Sequence, residues 1–156
     1  LIACARLAVA DDLPEIRGMV RRFLVEDRAA GSSILASDDN VDYIVSQAKS
    51  VVRGTRVGAV ALVPGGLGCA VVAVVDGPLR TDLEPQAIAW VIWVDPRHRR
   101  EGLARAMHGV VLGRLRARGV RTLVSSAWTD DGHAAQRALW EGLGGRWSFV
   151  GGHLEV

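Results

Sequence analysis

Val94-Asp95-Pro96-Arg97-His98-Arg99-Arg100-Glu101-Gly102-Leu103-Ala104 is the stretch on which the fold of this chain turns. Ahead of it, residues 87–94 form an unbroken apolar run of strand length, predicted to be a strand buried on both faces. Pro96, which has no N–H to offer a sheet, ends that strand. Behind it, Leu103, Met107, Val110, Val111 and Leu115 recur at helical spacing, predicting a helix that opens near Gly102 and stops at Gly119. The first turn of a helix carries unpaired N–H groups and a partial positive charge, which together suit an anion. Gly102 lets a ligand approach the backbone, Ala104 keeps the turn uncrowded, and Arg97, Arg99, Arg100 and Arg105 add charge. Strand, basic loop and helix together specify a pyrophosphate cradle.

Working outward, the spacing predicts a short strand over residues 6–10, then a helix capped by Asp11 or Asp12 with Pro14 in its first turn. Leu13, Ile16, Val20, Phe23 and Leu24 give that helix one buried face. Residues 27–40 read as a polar loop, and Val41, Ile44, Val45, Ala48, Val51 and Val52 predict a second helix. Residues 57–75 carry no charge and approach membrane-span length. Pro64-Gly65-Gly66 interrupts them, so they are read as a hairpin with strands near 55–63 and 68–76, and no membrane partner is expected. After the cradle come a strand over 121–127, a helix over 132–143 and one or two C-terminal strands. The unit from 87 to 127 is expected to be a right-handed parallel crossover, so the sheet is mixed.

The chain has 156 residues, 49% of them apolar, which suits one domain over 1–156 with one core. Its formal net charge of +2 is too mild to imply nucleic acid by itself, so a basic nucleic-acid-binding domain built on the helix at Gly102 stands only as the least favoured alternative. Arg114, Arg116, Arg118 and Arg121 are read as a solvated face complementing the negative end of the long helix. Of the 19 basic residues all but Lys49 are Arg, a bias ascribed to base composition before phosphate binding. Cys4 and Cys69 form no CxxC pair and no metal-ligand cluster, so no metal is expected and both are read as thiols of a reducing compartment, the cytoplasm. Arg6 and Asp11 break the apolar start, which does not read as a signal peptide.

Arg99-Arg100-Glu101-Gly102-Leu103-Ala104 resembles the R/Q-x-x-G-x-G/A signature of the GCN5-related N-acetyltransferases. Val94-Asp95-Pro96 is similar to the V-x-P that precedes it, and Leu139-Trp140-Glu141-Gly142-Leu143-Gly144 to the family's L-Y-E-K-L-G. The resemblance covers almost the whole chain. It implies the acyl-CoA N-acyltransferase (GNAT) fold, an α/β fold with a mixed, mostly antiparallel sheet flanked by helices. It also implies acetyl-CoA as co-substrate and direct acetyl transfer to a primary amine of a small molecule or protein. Backbone groups of Trp93 and Val94 would pair with the pantetheine arm. Amides of Arg99, Arg100, Glu101, Gly102, Leu103 and Ala104 would hold the pyrophosphate. His133 falls where the family often has an Asn that contacts the arm. Homodimers are common in the family, and no residue here decides the point.

Two positions depart from the family pattern. Its Tyr, often the acid for the leaving thiolate, is Trp140 here, and its usual strand Glu falls among Gln86, Ala87 and Ile88. The nearest carboxylates upstream are Asp82 and Glu84, in a loop. No catalytic residue is assigned. Ser125 and Ser126 are read as sheet serines, His98 as exposed, His108 as a surface or packing residue, Asp130-Asp131 as a helix start, and His153 is left without a partner. Trp90 and Trp93, three apart in a strand, are expected on opposite faces. Trp128, Trp140 and Trp147 are read as core packing or a cluster near the acyl site. The carboxylates Asp27, Asp38 and Asp39, beside Arg28, are read as a solvated loop or as a match for a cationic acceptor.

Overall fold

A computed structural model describes residues 4–74, 85–124 and 138–143. The expectations for Asp82, Glu84, Ser125, Ser126, Trp128, Asp130, Asp131, His133, Trp147, His153 and the C-terminal strands lie outside the described residues. The elements are β1 (Arg6–Leu7), α1 (Leu13–Ala29), α2 (Asp38–Val52), β2 (Gly58–Val63), β3 (Gly68–Val74), β4 (Gln86–Val94), α3 (Leu103–Ala117) and β5 (Thr122–Val124). Residues 138–142 are helical and are called α4. The strands lie in the order β1-β2-β3-β4-β5. The first pairings are antiparallel, and β4 runs parallel to β5 through Gln86↔Thr122, Ala87↔Leu123 and Ile88↔Val124. This is the mixed, mostly antiparallel sheet expected, with α3 spanning the parallel step.

Helices cover both faces of the sheet, so β2 is buried along its whole length. On one face α1 and α2 set Ile16, Met19, Val20, Leu24, Val41 and Ala48 against Val60, Leu62, Cys69 and Val71. On the other, α3 packs Leu103, Met107, Val111 and Leu115 onto Ala61, Val63, Ala70 and Val72. Each fully buried large side chain is worth about 1.5–3 kcal/mol by area. The helical spacings Ile16-Val20-Leu24 and Leu103-Met107-Val111-Leu115 account for both faces. Cys69 is wholly buried in β3, and desolvation pushes its thiol up to about 12. Cys4 is exposed, and neither residue forms a disulfide.

Gly58 is dictated by packing: a Cβ there would lie 2.3 Å from the Val72 carbonyl oxygen. The β2–β3 turn needs Gly65 and Gly66 for a different reason, since both have left-handed φ, +81° and +70°. The Gly66 N–H donates to Glu15 Oε1 at 2.5 Å, which ties the turn to the first turn of α1.

The structure corrects the polar loop. Asp27 and Arg28 belong to α1, and Arg28 donates to the Ser32 carbonyl at 2.7 Å. Ser37, whose Oγ accepts from the Asn40 N–H at 3.3 Å, caps α2. β2 starts at Gly58 because the N–H groups of Thr55 and Arg56 both go back to the Ser50 carbonyl. Asp12 does not cap α1 with its side chain. It accepts from Arg6 and from the Val9 N–H at 2.7 Å instead, and the Arg6 guanidinium holds its carboxyl below the usual range.

Trp90 and Trp93 do not face opposite sides. The register shifts between Val71 and Val72, from Val71↔Val91 to Val72↔Ala89, so Trp90 is an extra residue in β4. The bulge resets the alternation, and both indoles pack in the core beneath α1 and α2. A run of apolar residues hides such a shift, because both faces of the strand take the same residue types.

Candidate functional site

β4 ends at Val94, the chain passes a short turn over Pro96–His98, and α3 begins at Leu103. In the loop between, Arg100 has φ +69° and Gly102 has φ +83°. Two left-handed residues with one residue between them bend the backbone sharply there, and turns of that kind can gather N–H groups into a concavity that suits anions. Gly102 is the N-cap of α3 and offers no side-chain cap. The Ala106 N–H pairs with the Gly102 carbonyl at 3.0 Å, so the N–H groups ahead of it fall in the turn that has no intrahelical acceptor. A Cβ at Gly102 would meet nothing within 4 Å, so the space over the turn is open. Arg100, Glu101, Gly102 and Arg105 are exposed, while Leu103 is buried and anchors the turn. An uncapped helix start, open space above it and exposed arginines around it fit a pyrophosphate.

The end of β4 has a direction. The Asp95 N–H donates to the Leu67 carbonyl at 2.9 Å, and Trp93 pairs with Cys69 in the same ladder. Antiparallel hydrogen-bonded pairs alternate, so Trp93 spends its peptide groups on β3 while Ile92 and Val94 turn theirs away from it. Counting by twos from Asp95 places the Ile92 and Val94 peptide groups on the side of β4 away from β3, where the Val94 carbonyl accepts from Arg99 Nε at 3.1 Å.

The Trp93 side chain has another role. Its Nε1 donates to Glu26 Oε2 at 3.0 Å, and Arg22 lies over its ring, Cζ 4.9 Å from the centroid. Glu26 also pairs with Arg99, whose Nε donates to the Val94 carbonyl at 3.1 Å. Arg99 thus clasps the end of β4 to α1. Arg97 clasps Asp95, donating from Nε at 3.1 Å and from Nη2 at 2.9 Å. That contact holds the Asp95 carboxyl well below its ordinary range. Arg100 and Arg105 remain at the rim as exposed cations. His98 faces Glu101, Nδ1 to Oε2 3.3 Å.

His108 is buried at 2% exposure, on the part of α3 that meets α4. Its Nδ1 lies 2.7 Å from the Ala104 carbonyl oxygen. Its ring stands edge-on to Trp140, centroids 5.7 Å apart and planes at 87°. Burial lowers its pKa, so the ring is held neutral. On the other face of the sheet, Trp90 meets Tyr43 of α2 edge-on at 5.4 Å. Of the carboxylates read as a match for a cation, Asp38 is paired with Arg21, and Asp27 keeps a buried oxygen, Oδ2, with no hydrogen-bond partner.

A family model described as acetyltransferase (GNAT) family matches residues 10–144. No curated protein matches the sequence. Among solved structures, a GCN5-related N-acetyltransferase from Ralstonia eutropha is 21% identical, with 97% of this chain and 96% of that chain covered at a TM-score of 0.67. A predicted acetyltransferase from Clostridium acetobutylicum, solved with acetyl-CoA, is 14% identical over 97% of this chain and 94% of that one, at a TM-score of 0.70. The aminoglycoside N-acetyltransferase AAC(6')-Iy, solved with CoA, is 16% identical over 97% and 93%, at a TM-score of 0.68. Among the described residues no helix is long and apolar enough to cross a membrane.

Proposed function

We propose that this chain, which belongs to the acetyltransferase (GNAT) family, transfers an acetyl group from acetyl-CoA to a primary amine of a small-molecule or protein acceptor. The observation that carries the reading is the open, uncapped start of α3 at Gly102, with Arg100 and Gly102 both left-handed beside it. In this reading the amides from Arg99 to Ala104 hold the pyrophosphate, and Arg100 and Arg105 balance its charge. The peptide groups of Ile92 and the N–H of Val94 pair with the pantetheine arm as with an added strand, the Val94 carbonyl being held by Arg99. Bound acetyl-CoA supplies an acyl carbon activated as a thioester. The chain contributes alignment of the amine and a polar setting for the charge that develops. Gln86, Ala87 and Ile88 provide no carboxylate and the indole of Trp140 is no acid, so as the C–N bond forms and the C–S bond breaks, the amine's proton passes to water and CoA leaves as a thiolate that solvent protonates.

Those same two positions support a second reading, a CoA-binding module of this fold with altered catalysis. Thermal unfolding with and without acetyl-CoA tests the common premise. A ligand at a hundred times its Kd adds about 2.7 kcal/mol to the folded state. Wild type is expected to shift upward and Gly102→Trp is expected not to. No shift in wild type at millimolar acetyl-CoA sinks both readings. Amine-dependent release of CoA then separates transfer from binding alone.

A further inference from the structure

Helix α1 reaches the loop between β4 and α3 through two side chains one helical turn apart, Arg22 and Glu26. Arg22 Nη1 lies 3.7 Å from Asp95 Oδ2, and Glu26 pairs with Arg99. Both also touch the Trp93 indole, Arg22 over its ring and Glu26 as acceptor of its N–H. Glu26 divides its oxygens, Oε2 to the indole and Oε1 to Arg99. Arg99 divides its guanidinium likewise, Nη2 to Glu26 and Nε to the Val94 carbonyl. Each partner is therefore held from a second side, and a half-exposed ion pair fixed in that way is worth more than a free one on the surface. These contacts close residues 94–99 back onto the end of β4, with the Arg97 N–H held by Asp95 Oδ1 at 3.0 Å. Arg100 and Gly102, the left-handed pair of the cradle, follow directly. By charge alone Glu26 is the wrong group for this place. A carboxylate paired with a residue of an anion site repels the anion and engages a cation the anion would use.

We propose that Glu26 is a positioning residue for the cofactor: acting through Arg99, it holds the loop in the conformation that presents its amides to the pyrophosphate. The inference rests on the reading of the α3 start as a CoA site. Order that is in place before the ligand arrives is not charged to binding, which offsets the repulsion. The two oxygens of Glu26 have separate effects. The one on Trp93 ties α1 to β4 and supports the fold, and the one on Arg99 supports binding.

Glu26→Gln separates them, because its amide oxygen still accepts from the indole while its amide nitrogen cannot accept from Arg99. The measurement is calorimetric titration of the full chain with CoA and with 3′-phospho-ADP, which has the phosphates and no arm. Glu26→Gln and Glu26→Ala are expected to bind both ligands roughly threefold to tenfold more weakly than wild type, and equally with each other, although their unfolding midpoints differ. Arg99→Gln is expected to weaken binding too, and adding Glu26→Gln to it to cost nothing further. Unchanged or tighter binding by Glu26→Gln, which charge repulsion alone predicts, overturns the proposal. Additive losses in the double variant overturn it as well, since they put the two side chains to separate uses. If Glu26→Ala fails to fold, Glu26→Gln and the double variant decide. Wild type that binds neither ligand is a different result, and it removes the site reading on which the proposal stands.

Discussion

At the scale of single residues, backbone conformation and protonation make the sharpest predictions. Arg100 holds a left-handed φ of +69°, which costs an L-residue roughly 1–2 kcal/mol. Arg100→Gly is expected to raise stability by about 0.5–1 kcal/mol, the relief less the entropy that glycine loses on folding, in urea unfolding without ligand. An unchanged midpoint would show that the conformation is unstrained. His108 titrates below the ordinary imidazole value near 6.5 because burial disfavours its charged form. Between those values the unfolded chain binds more protons than the folded one. Stability is then full above the ordinary value and is lost as the pH falls toward the folded one. Unfolding midpoints at pH 7.5 and 5.5 are expected to differ, with a smaller difference in His108→Leu. Gly102 and the arginines around it were legible in the sequence because glycine and charge mark a loop directly. The burial of His108 was not, because one histidine on a helix has no period of its own.

Elements are coupled by a few side chains that no motif announces. Glu26 of α1 takes the Trp93 indole N–H at 3.0 Å and pairs with Arg99, so α1 grips both β4 and the loop after it. Glu26→Ala is expected to cost about 1–3 kcal/mol, chiefly by leaving that indole unpaired. Glu26→Gln, which keeps an acceptor, is expected to recover much of the loss, and equal destabilisation by both would place the effect in the Arg99 charge instead. Gly58→Ala would push a Cβ to 2.3 Å from a β3 carbonyl, and unfolding is expected to show a loss of about 1–3 kcal/mol or more. Sequence periodicity announced α1, α2 and α3, whose polar and apolar faces differ, and Pro64-Gly65-Gly66 between two apolar runs announced the hairpin. It could not announce the bulge at Trp90, nor that Trp93 turns its peptide groups toward β3, since an all-apolar strand carries no mark of which way it faces.

For the whole molecule, the order of strands and helices followed from the sequence because turn residues separate the runs: Pro64-Gly65-Gly66, Pro96 and Gly119. The pairing of β4 with β5 followed from handedness, as the chain must cross over α3 to return parallel. The acceptor was not legible, because the residues that would face it come from separate elements and share no spacing. The two cysteines offer a clock for this architecture. Cys4 is exposed at the start of the chain, and Cys69 is wholly buried in the central strand β3, its thiol held up to about 12. In a pulse of alkylating reagent, Cys4 should react at once and Cys69 only as fast as the sheet comes apart. Mass spectrometry of the doubly labelled fraction then times global opening in the native protein, with no engineered probe, and a ligand that holds the sheet closed slows that clock.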